Sequence, residues 1–163
     1  YAITAVIGRR DVMSSADSTF ISSTFWTERI GPTAALAAIQ AMQDEDAPRR
    51  VNSIGYQIQQ IWQDAFRSTG LTVHSTGLPA LSNFVIEGCH QPTTKRAVLT
   101  SMLARGFLAG PAVYASIAHD TPVLTRYREA LAASAPTIAD ECLRTQTDDH
   151  SQSQDSESFG RLA

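Results

Sequence analysis

Residues 21–38, ISSTFWTERIGPTAALAA, run from a hydroxyl-rich segment through Gly31-Pro32 into an alanine-rich helix. Pro32 suits the first turn of that helix, because the N–H that proline lacks would have no intrahelical acceptor there. A helix start with free backbone donors and nearby hydroxyl groups can hold a phosphate or another anion. The same pattern is also typical of a capped helix start that binds no ligand. The hydroxyl-bearing residues before the helix are Ser22, Ser23, Thr24 and Thr27.

The pattern of apolar residues predicts both helices and strands around this segment. Residues 2–7 form an apolar, β-branched run that is typical of a buried strand. Residues 51–68 carry apolar residues at helical spacing that indicate a core-facing helix, and Gly70 is in position to end it. Residues 145–163 are rich in Ser, Gln and Asp, which predicts a disordered tail. The other predicted elements are strands at 20–23, 71–74, 78–86, 107–108 and 113–118, and helices at 32–46, 92–105 and 122 to about 143.

Composition and charge exclude several classes of partner. Hydrophobic residues make up 43% and charged residues 18% of the 163 residues, a balance typical of globular proteins. The net charge of −3 provides no basic field for nucleic acid or an anionic membrane, and no apolar run approaches the ~20 residues of a membrane span. The expected location is the cytoplasm. Because the chain opens with Tyr1 inside a predicted strand, we also expect it to be a fragment.

The cysteines and histidines do not form a recognisable metal-binding pattern. Cys89 and Cys142 are far apart and lie in no ligand spacing, which favours structural thiols in a cytosolic protein. The four histidines are scattered, so no metal site is predicted. His119 follows an apolar run and precedes a helix-entry signal at Asp120 or Thr121. This position favours a strand-end histidine that bonds to backbone, with a role in a pocket as the alternative.

Three segments resemble one enzyme family and occur in that family's order. They are YAITAVIGRRDVM at residues 1–13, the sequence around Gly31-Pro32, and MLARGFLAGPAVYASIAHDTPVLTRYREAL at residues 102–131. All three are similar to segments of the class III, fold type I, pyridoxal-phosphate (PLP) aminotransferases, close to the glutamate-1-semialdehyde aminomutase-like branch. The resemblance covers most of the chain as far as about Leu143 and implies a C-terminal fragment of such an enzyme.

The resemblance and the order of the predicted elements both imply an α+β fold. Residues 1–47 correspond to the C-terminal end of the large α/β PLP-binding domain. Residues 48–144 correspond to a connecting helix and a small C-terminal α+β domain with antiparallel strands, and residues 145–163 are the predicted disordered tail. Family members are homodimers whose interface includes the loop before Pro32. We therefore expect the adjacent aromatic residues Phe25 and Trp26 to be buried in the full-length homodimer.

The chain contains one lysine, Lys95, in surroundings that do not suit a Schiff base. PLP enzymes bind their cofactor through a lysine, which needs desolvation and neighbours that lower its pKa. Lys95 lies beside Arg96 at the start of a predicted helix with a polar face, so we expect a solvated surface residue. The family's aldimine lysine lies a few residues before the position that matches Tyr1. The resemblance therefore implies that the catalytic lysine is upstream and that this fragment alone is inactive.

The resemblance carries one cofactor contact over to this chain. Family members have a threonine just ahead of the Gly/Asn-Pro helix start that reaches the cofactor phosphate of the neighbouring subunit. The spacing favours Thr27, five residues before Pro32, whereas the Ser-Ser-Thr sequence favours Thr24. Either hydroxyl could form a charge-assisted bond to the phosphate. Glu28 and Arg29 could form an ion pair that shapes the loop, or Arg29 could bind a substrate carboxylate.

One departure from the family bears on the reaction. The aminomutase carries a glutamate in the strand that leads to the Ala-His pair, whereas this chain has Pro111-Ala112-Val113-Tyr114. This difference favours an aminotransferase, which moves an amino group between a small amine or amino acid donor and a carbonyl acceptor. A stand-alone, non-catalytic dimerisation or binding module stays open as an alternative, as does a pseudo-enzyme whose upstream lysine is replaced. An upstream Lys-x-x-Gly-x-Gly sequence would favour the enzyme, and a start site there would favour the module.

Overall fold

The computed structural model describes residues 3–21, 24 and 28–159, with side chains described as far as residue 144. The chain divides into two compact units, Tyr1–Ala47 and Pro48–Ala163. Helices and an antiparallel sheet make up the fold, which confirms the α+β class expected from the sequence. The assignment of these units to parts of a larger enzyme stays a prediction.

The first unit contains helices and no strand among its described residues. Helix α1 (Arg10–Met13) leads into a 3-10 turn at Ser14–Ser18, and helix α2 spans Ile30–Asp44, starting two residues before Pro32. The strand predicted at residues 2–7 is wrong for its described part, because residues 3–9 are irregular. A strand needs a neighbouring strand to pair its backbone groups, and the described part of this unit provides none. The predicted strand at 20–23 is irregular at its first two residues, and the rest lies outside the described residues.

Large apolar side chains of the first unit are exposed to solvent. Phe20 is 96% exposed and Ile7 is 90% exposed. Helix α2 exposes Leu36, Ile39 and Met42, which follow one another at three-residue spacing, and among its residues Gly31 is the buried one. An exposed apolar helix face of this kind normally packs against another protein surface.

The second unit is built around a three-stranded antiparallel sheet in the order β1-β2-β3. Strands β1 (Val73–Leu78) and β2 (Leu81–Ile86) form a hairpin around Pro79-Ala80, and β3 (Ala112–Tyr114) pairs with the first half of β2. The sequence predicted strands in these regions with boundaries that differ by up to four residues. The strand predicted at residues 107–108 is wrong, because these residues are irregular. The helices of the unit are α3 (Ala47–Phe66), α4 (Gln91–Leu103) and α5 (Thr121–Phe159).

One face of the sheet forms the core with the helices. Along β2, Phe84 and Ile86 are buried, whereas Leu81 and Asn83 on the opposite face are exposed. The rings of Phe84 and Trp62 of α3 are 5.0 Å apart between centroids. The apolar stripe of α3 is therefore core, as its spacing predicted. The largest fully buried side chains are Trp62, Phe66, Phe84, Ile61, Ile86, Met102, Leu131 and Ile138.

Helix α3 approaches the hairpin so closely that Gly55 has no room for a side chain. A Cβ atom built on Gly55 would lie 1.9 Å from the carbonyl oxygen of Pro79. One turn further along α3, Gln59 Nε2 donates a hydrogen bond to Ser82 Oγ (2.6 Å), which in turn donates to the carbonyl oxygen of Leu78 (2.9 Å). These contacts fix the turn of the hairpin against the helix.

Local end signals in the sequence predict several boundaries correctly. Gly70 (φ 74°) follows α3 and its 3-10 extension, and Gly106 (φ 80°) follows α4. Asp120 caps α5, because its Oδ1 accepts the backbone N–H of Val123 (3.0 Å). Gly77 also has a positive φ (86°), but it lies within β1.

Helix α5 extends beyond the end predicted near Leu143. The backbone of residues 145–159, in the segment expected to be disordered, is helical, and residues 160–163 lie outside the described range. No glycine or proline occurs between Pro136 and Gly160, so the segment contains none of the strong helix breakers. Pro136 lies inside the continuous helix.

Cys89 and Cys142 form a disulfide, which corrects the prediction that both are structural thiols. Their Cα atoms are 5.5 Å apart, a separation that suits a disulfide. The two residues are 53 positions apart, and tertiary folding brings the turn after β2 beside α5. Disulfides are rare in cytosolic proteins. The cysteines therefore do not support the cytoplasmic location, which stays a prediction.

Candidate functional site

The start of α2 holds an anion, and that anion belongs to the chain itself. The carboxylate of Glu28 accepts hydrogen bonds from the backbone N–H groups of Ile30 and, at 3.0 Å, Gly31. Because α2 starts at Ile30, these N–H groups are the first donors of the helix, ahead of the start that the sequence predicted at Pro32. A carboxylate is stabilised at this position because the N-terminus of a helix carries partial positive charge. A phosphate at the same donors would meet a group of like charge.

Of the two threonines predicted to contact phosphate, Thr24 lies among the described residues. Thr24 is exposed in a turn, and Thr27 lies outside the described residues, as do Phe25 and Trp26. The choice between Thr24 and Thr27 therefore stays a prediction, and so does a phosphate contact from this loop. The ion pair of Glu28 with Arg29, and the alternative contact of Arg29 with a substrate carboxylate, also stay predictions.

Lys95 is an exposed residue on α4, as the sequence predicted. Its neighbour Thr94 is buried, and the hydroxyl of Thr94 donates to the carbonyl oxygen of His90 (3.2 Å). Thr94 therefore faces the core, whereas Lys95 faces solvent. An exposed amine keeps its hydration and does not meet the desolvated surroundings that a Schiff-base lysine requires.

A second candidate site is an apolar groove of about 310 Å³ in the second unit. It lies between the segment after α4, strand β3 and the first turns of α5, and its walls include Phe107, Val113 and Leu124. Small-molecule sites have volumes of about 300–1,000 Å³ and combine apolar walls with a few polar groups. The lining side chains that carry a polar group are Tyr114, His119 and Tyr127. The groove is large enough for a small ligand or for one or two side chains of a neighbouring segment.

The Tyr127 hydroxyl is held in place from inside the core. Trp62 Nε1–H donates a hydrogen bond to Tyr127 Oη (2.8 Å), and the Tyr127 ring contacts the edge of Phe107 (5.8 Å between centroids). Burial raises the pKa of Tyr127 to about 12, although the bond from Trp62 acts in the opposite direction. The phenol therefore stays neutral at physiological pH. The sequence did not indicate the groove beside Tyr127, because several distant segments form its walls.

His119 bonds to backbone, as the sequence predicted, although it does not lie at a strand end, because β3 ends at Tyr114. Its Nδ1 accepts the N–H of Ser116 (3.0 Å), and its own backbone N–H donates to the carbonyl oxygen of Ser116 (3.0 Å). In the neutral ring this arrangement leaves the proton on Nε2. His119 also lines the groove, so the structural role and a place in a pocket are compatible.

The described residues contain no group of three or more histidine, cysteine, aspartate or glutamate side chains placed to hold a metal ion. None of the helices in this part of the chain has the length and apolar character needed to cross a membrane.

Comparison with known proteins gives one informative likeness. No family model and no curated protein matches the sequence. Among solved structures, the chain is similar to the PLP internal aldimine form of the FumI protein from Sphingopyxis sp. MTA144, with a TM-score of 0.72 and 16% sequence identity. The match covers 83% of this chain and 33% of the FumI chain, so this chain spans about a third of that protein's length. The likeness shows that the chain has the fold of that part of the FumI protein.

Proposed function

We propose that this chain is the C-terminal part of a class III PLP-dependent aminotransferase that transfers an amino group from an amine or amino acid to a carbonyl acceptor. The observation that carries the proposal is the match of 83% of this chain to a third of a protein solved as its PLP internal aldimine. The three segments that resemble class III aminotransferases in the family's order support the same assignment. An α+β second unit with an antiparallel sheet is the fold that the resemblance implies.

The described residues do not form a complete site for PLP. When bound, PLP acts as an electron sink for the carbanion that forms at the substrate. It needs a lysine in a desolvated position, and Lys95, the lysine of this chain, is exposed. It also needs donors for its phosphate, and Glu28 already accepts from two donors at the start of α2. We therefore assign no catalytic step to the described residues and expect the lysine in an upstream part of the protein.

The exposed apolar residues of the first unit support an incomplete chain. Leu36, Ile39 and Met42 present apolar surface along α2, and Phe20 and Ile7 are almost wholly exposed. Burying such side chains stabilises a protein by about 1.5–3 kcal/mol each. A surface that covers them would be supplied by the upstream part of the enzyme and by the second subunit of a homodimer. In that homodimer we expect Phe25 and Trp26 at the interface.

The contribution of this chain to the cofactor site would be a single hydroxyl. Thr27 or Thr24 would donate to the cofactor phosphate of the neighbouring subunit, while Glu28 keeps the helix donors of α2. The absence of an acidic residue from Pro111 to Tyr114 supports an aminotransferase over an aminomutase. We also propose a cytoplasmic location. The amino donor and the carbonyl acceptor would both be small molecules.

The test compares the chain alone with a protein extended by its upstream reading frame. We expect the absorbance band of an internal aldimine in the extended protein and not in the chain alone. Substitution of the upstream lysine should remove that band, whereas Lys95→Ala, a change at an exposed residue, should leave it unchanged. A start codon directly before Tyr1, or an extended protein that binds no PLP, would refute the proposal and favour a non-catalytic module.

A further inference from the structure

The disulfide attaches the later part of α5 to the turn that follows β2. Cys89 lies in that turn, and its backbone N–H donates to the carbonyl oxygen of Ile86 (3.2 Å). Cys142 is the last buried residue among the described side chains of α5. Cys89 is 9% exposed and Cys142 is 1% exposed, so both sulfurs belong to the core. The bond therefore closes the core at the point where the described side chains of α5 turn outward.

The part of α5 before Pro136 is held to the α4 region by other contacts. Arg105 Nη2, just beyond α4, donates a hydrogen bond to the carbonyl oxygen of Ala133 (2.9 Å). Ser134 Oγ lies 3.6 Å from Met102 Sδ, and Leu131 is fully buried. These contacts do not depend on the disulfide. The first part of the helix should therefore stay in place when the disulfide is absent.

Pro136 separates these contacts from the disulfide. Proline has no N–H, so the carbonyl group of Ala132 lacks the usual i+4 donor, and the proline ring crowds that carbonyl. A helix opens more easily at such a position than within an unbroken run of hydrogen bonds. Beyond it, Ile138 and Cys142 pack into the core, and the disulfide adds a covalent link.

We propose that the Cys89–Cys142 disulfide is a redox-controlled tether for the segment of α5 that follows Pro136. With the bond intact, residues 137–143 stay packed on the core. After reduction, only the packing of its side chains holds this segment on the core, so it opens transiently at Pro136. The rest of the second unit stays folded. The proposal concerns the stability of this segment and does not depend on the aminotransferase assignment.

The chemistry of the switch is thiol–disulfide exchange. A thiolate of an external dithiol attacks one sulfur, the S–S bond breaks, and a mixed disulfide forms as the second sulfur leaves as a thiolate. The second thiol of the reagent then displaces the first cysteine, so the protein gains two electrons and two protons and the dithiol becomes a disulfide. Attack at Cys89 is favoured because Cys142 is almost wholly covered.

Hydrogen exchange measured by mass spectrometry tests the tether in oxidised protein and in protein treated with dithiothreitol. We expect the amides of residues 137–143 to exchange faster after reduction, on the order of tenfold or more, with little change before Pro136 or in β2. The double variant C89S/C142S should behave like the reduced protein. Pro136→Ala restores the missing donor and should reduce the acceleration. If the double variant does not fold, the comparison of oxidised and reduced wild-type protein still tests whether the disulfide holds residues 137–143.

Three results would overturn the proposal. Labelling of both cysteines by iodoacetamide in the unreduced, denatured protein would show that the bond does not form. Equal acceleration on both sides of Pro136 would show that the disulfide stabilises the whole unit rather than one segment. An unchanged acceleration in the Pro136→Ala variant would show that the proline is not the boundary.

Discussion

Replacing Gly55 by alanine is the sharpest test of how α3 packs against the hairpin. The added Cβ atom would lie 1.9 Å from the carbonyl oxygen of Pro79, 2.3 Å from its carbonyl carbon and 3.0 Å from the nitrogen of Ala80. All three are backbone atoms of the turn between β1 and β2, so no side-chain rotation relieves the overlap. An ordinary contact of about 3.5 Å requires the turn and the helix to separate by more than an ångström.

The expected change in the free energy of unfolding combines two destabilising contributions and one stabilising contribution. Overpacking in a closely packed site costs about 1–3 kcal/mol. A displaced turn would also lose the hydrogen bond from Gln59 to the buried Ser82, which costs about 1 kcal/mol. Alanine favours the helix over glycine by about 1 kcal/mol, which offsets that loss. We therefore expect Gly55→Ala to lower the free energy of unfolding by about 1–3 kcal/mol.

Chemical denaturation followed by tryptophan fluorescence measures this change, because Trp62 is buried in the same unit. Ser53→Ala is a matched control, since Ser53 is exposed on the same helix and alanine there should stabilise by a few tenths of a kcal/mol. A Gly55→Ala variant as stable as the wild type would refute the close approach of α3 to the turn. A loss of stability in both variants would show that the effect does not come from the overlap.

Two further predictions concern the phosphate contact and the buried phenol. In the extended protein, either Thr27→Ala or Thr24→Ala, and not both, should weaken PLP retention by about 1.5–3 kcal/mol, one to two decades in a cofactor titration. No change in either variant would contradict a phosphate contact in this loop. Tyr127→Phe leaves the buried Trp62 N–H without its acceptor and should cost about 1–3 kcal/mol in denaturation at neutral pH. Folding raises the pKa of Tyr127 from 10.0 to about 12, so the neutral phenol contributes fully to the free energy of unfolding below pH 10. This contribution is lost as the pH rises from 10 towards 12. The wild type should therefore lose more stability than Tyr127→Phe over that pH interval.

Local signals in the sequence predicted those features that depend on neighbouring residues. Gly70 and Gly106 end helices because each adopts a positive φ, which glycine reaches without steric cost. Asp120 caps α5 because its carboxylate reaches the N–H of Val123. The apolar stripe of α3 predicted a core-facing helix, since helical periodicity places its apolar side chains on one face.

Other features depend on distant parts of the chain and needed the tertiary structure. The predicted strand at residues 2–7 is irregular in its described part, because a strand depends on a partner that its own sequence cannot specify. The Cys89–Cys142 bond joins residues 53 positions apart, and the groove beside Tyr127 is formed by segments that meet only in the folded unit. The start of α2 lies between these cases. The sequence alone indicated a helix start that could hold an anion or be capped without a ligand. The structure shows the carboxylate of Glu28 at its first N–H groups, because this side chain is close enough to reach them.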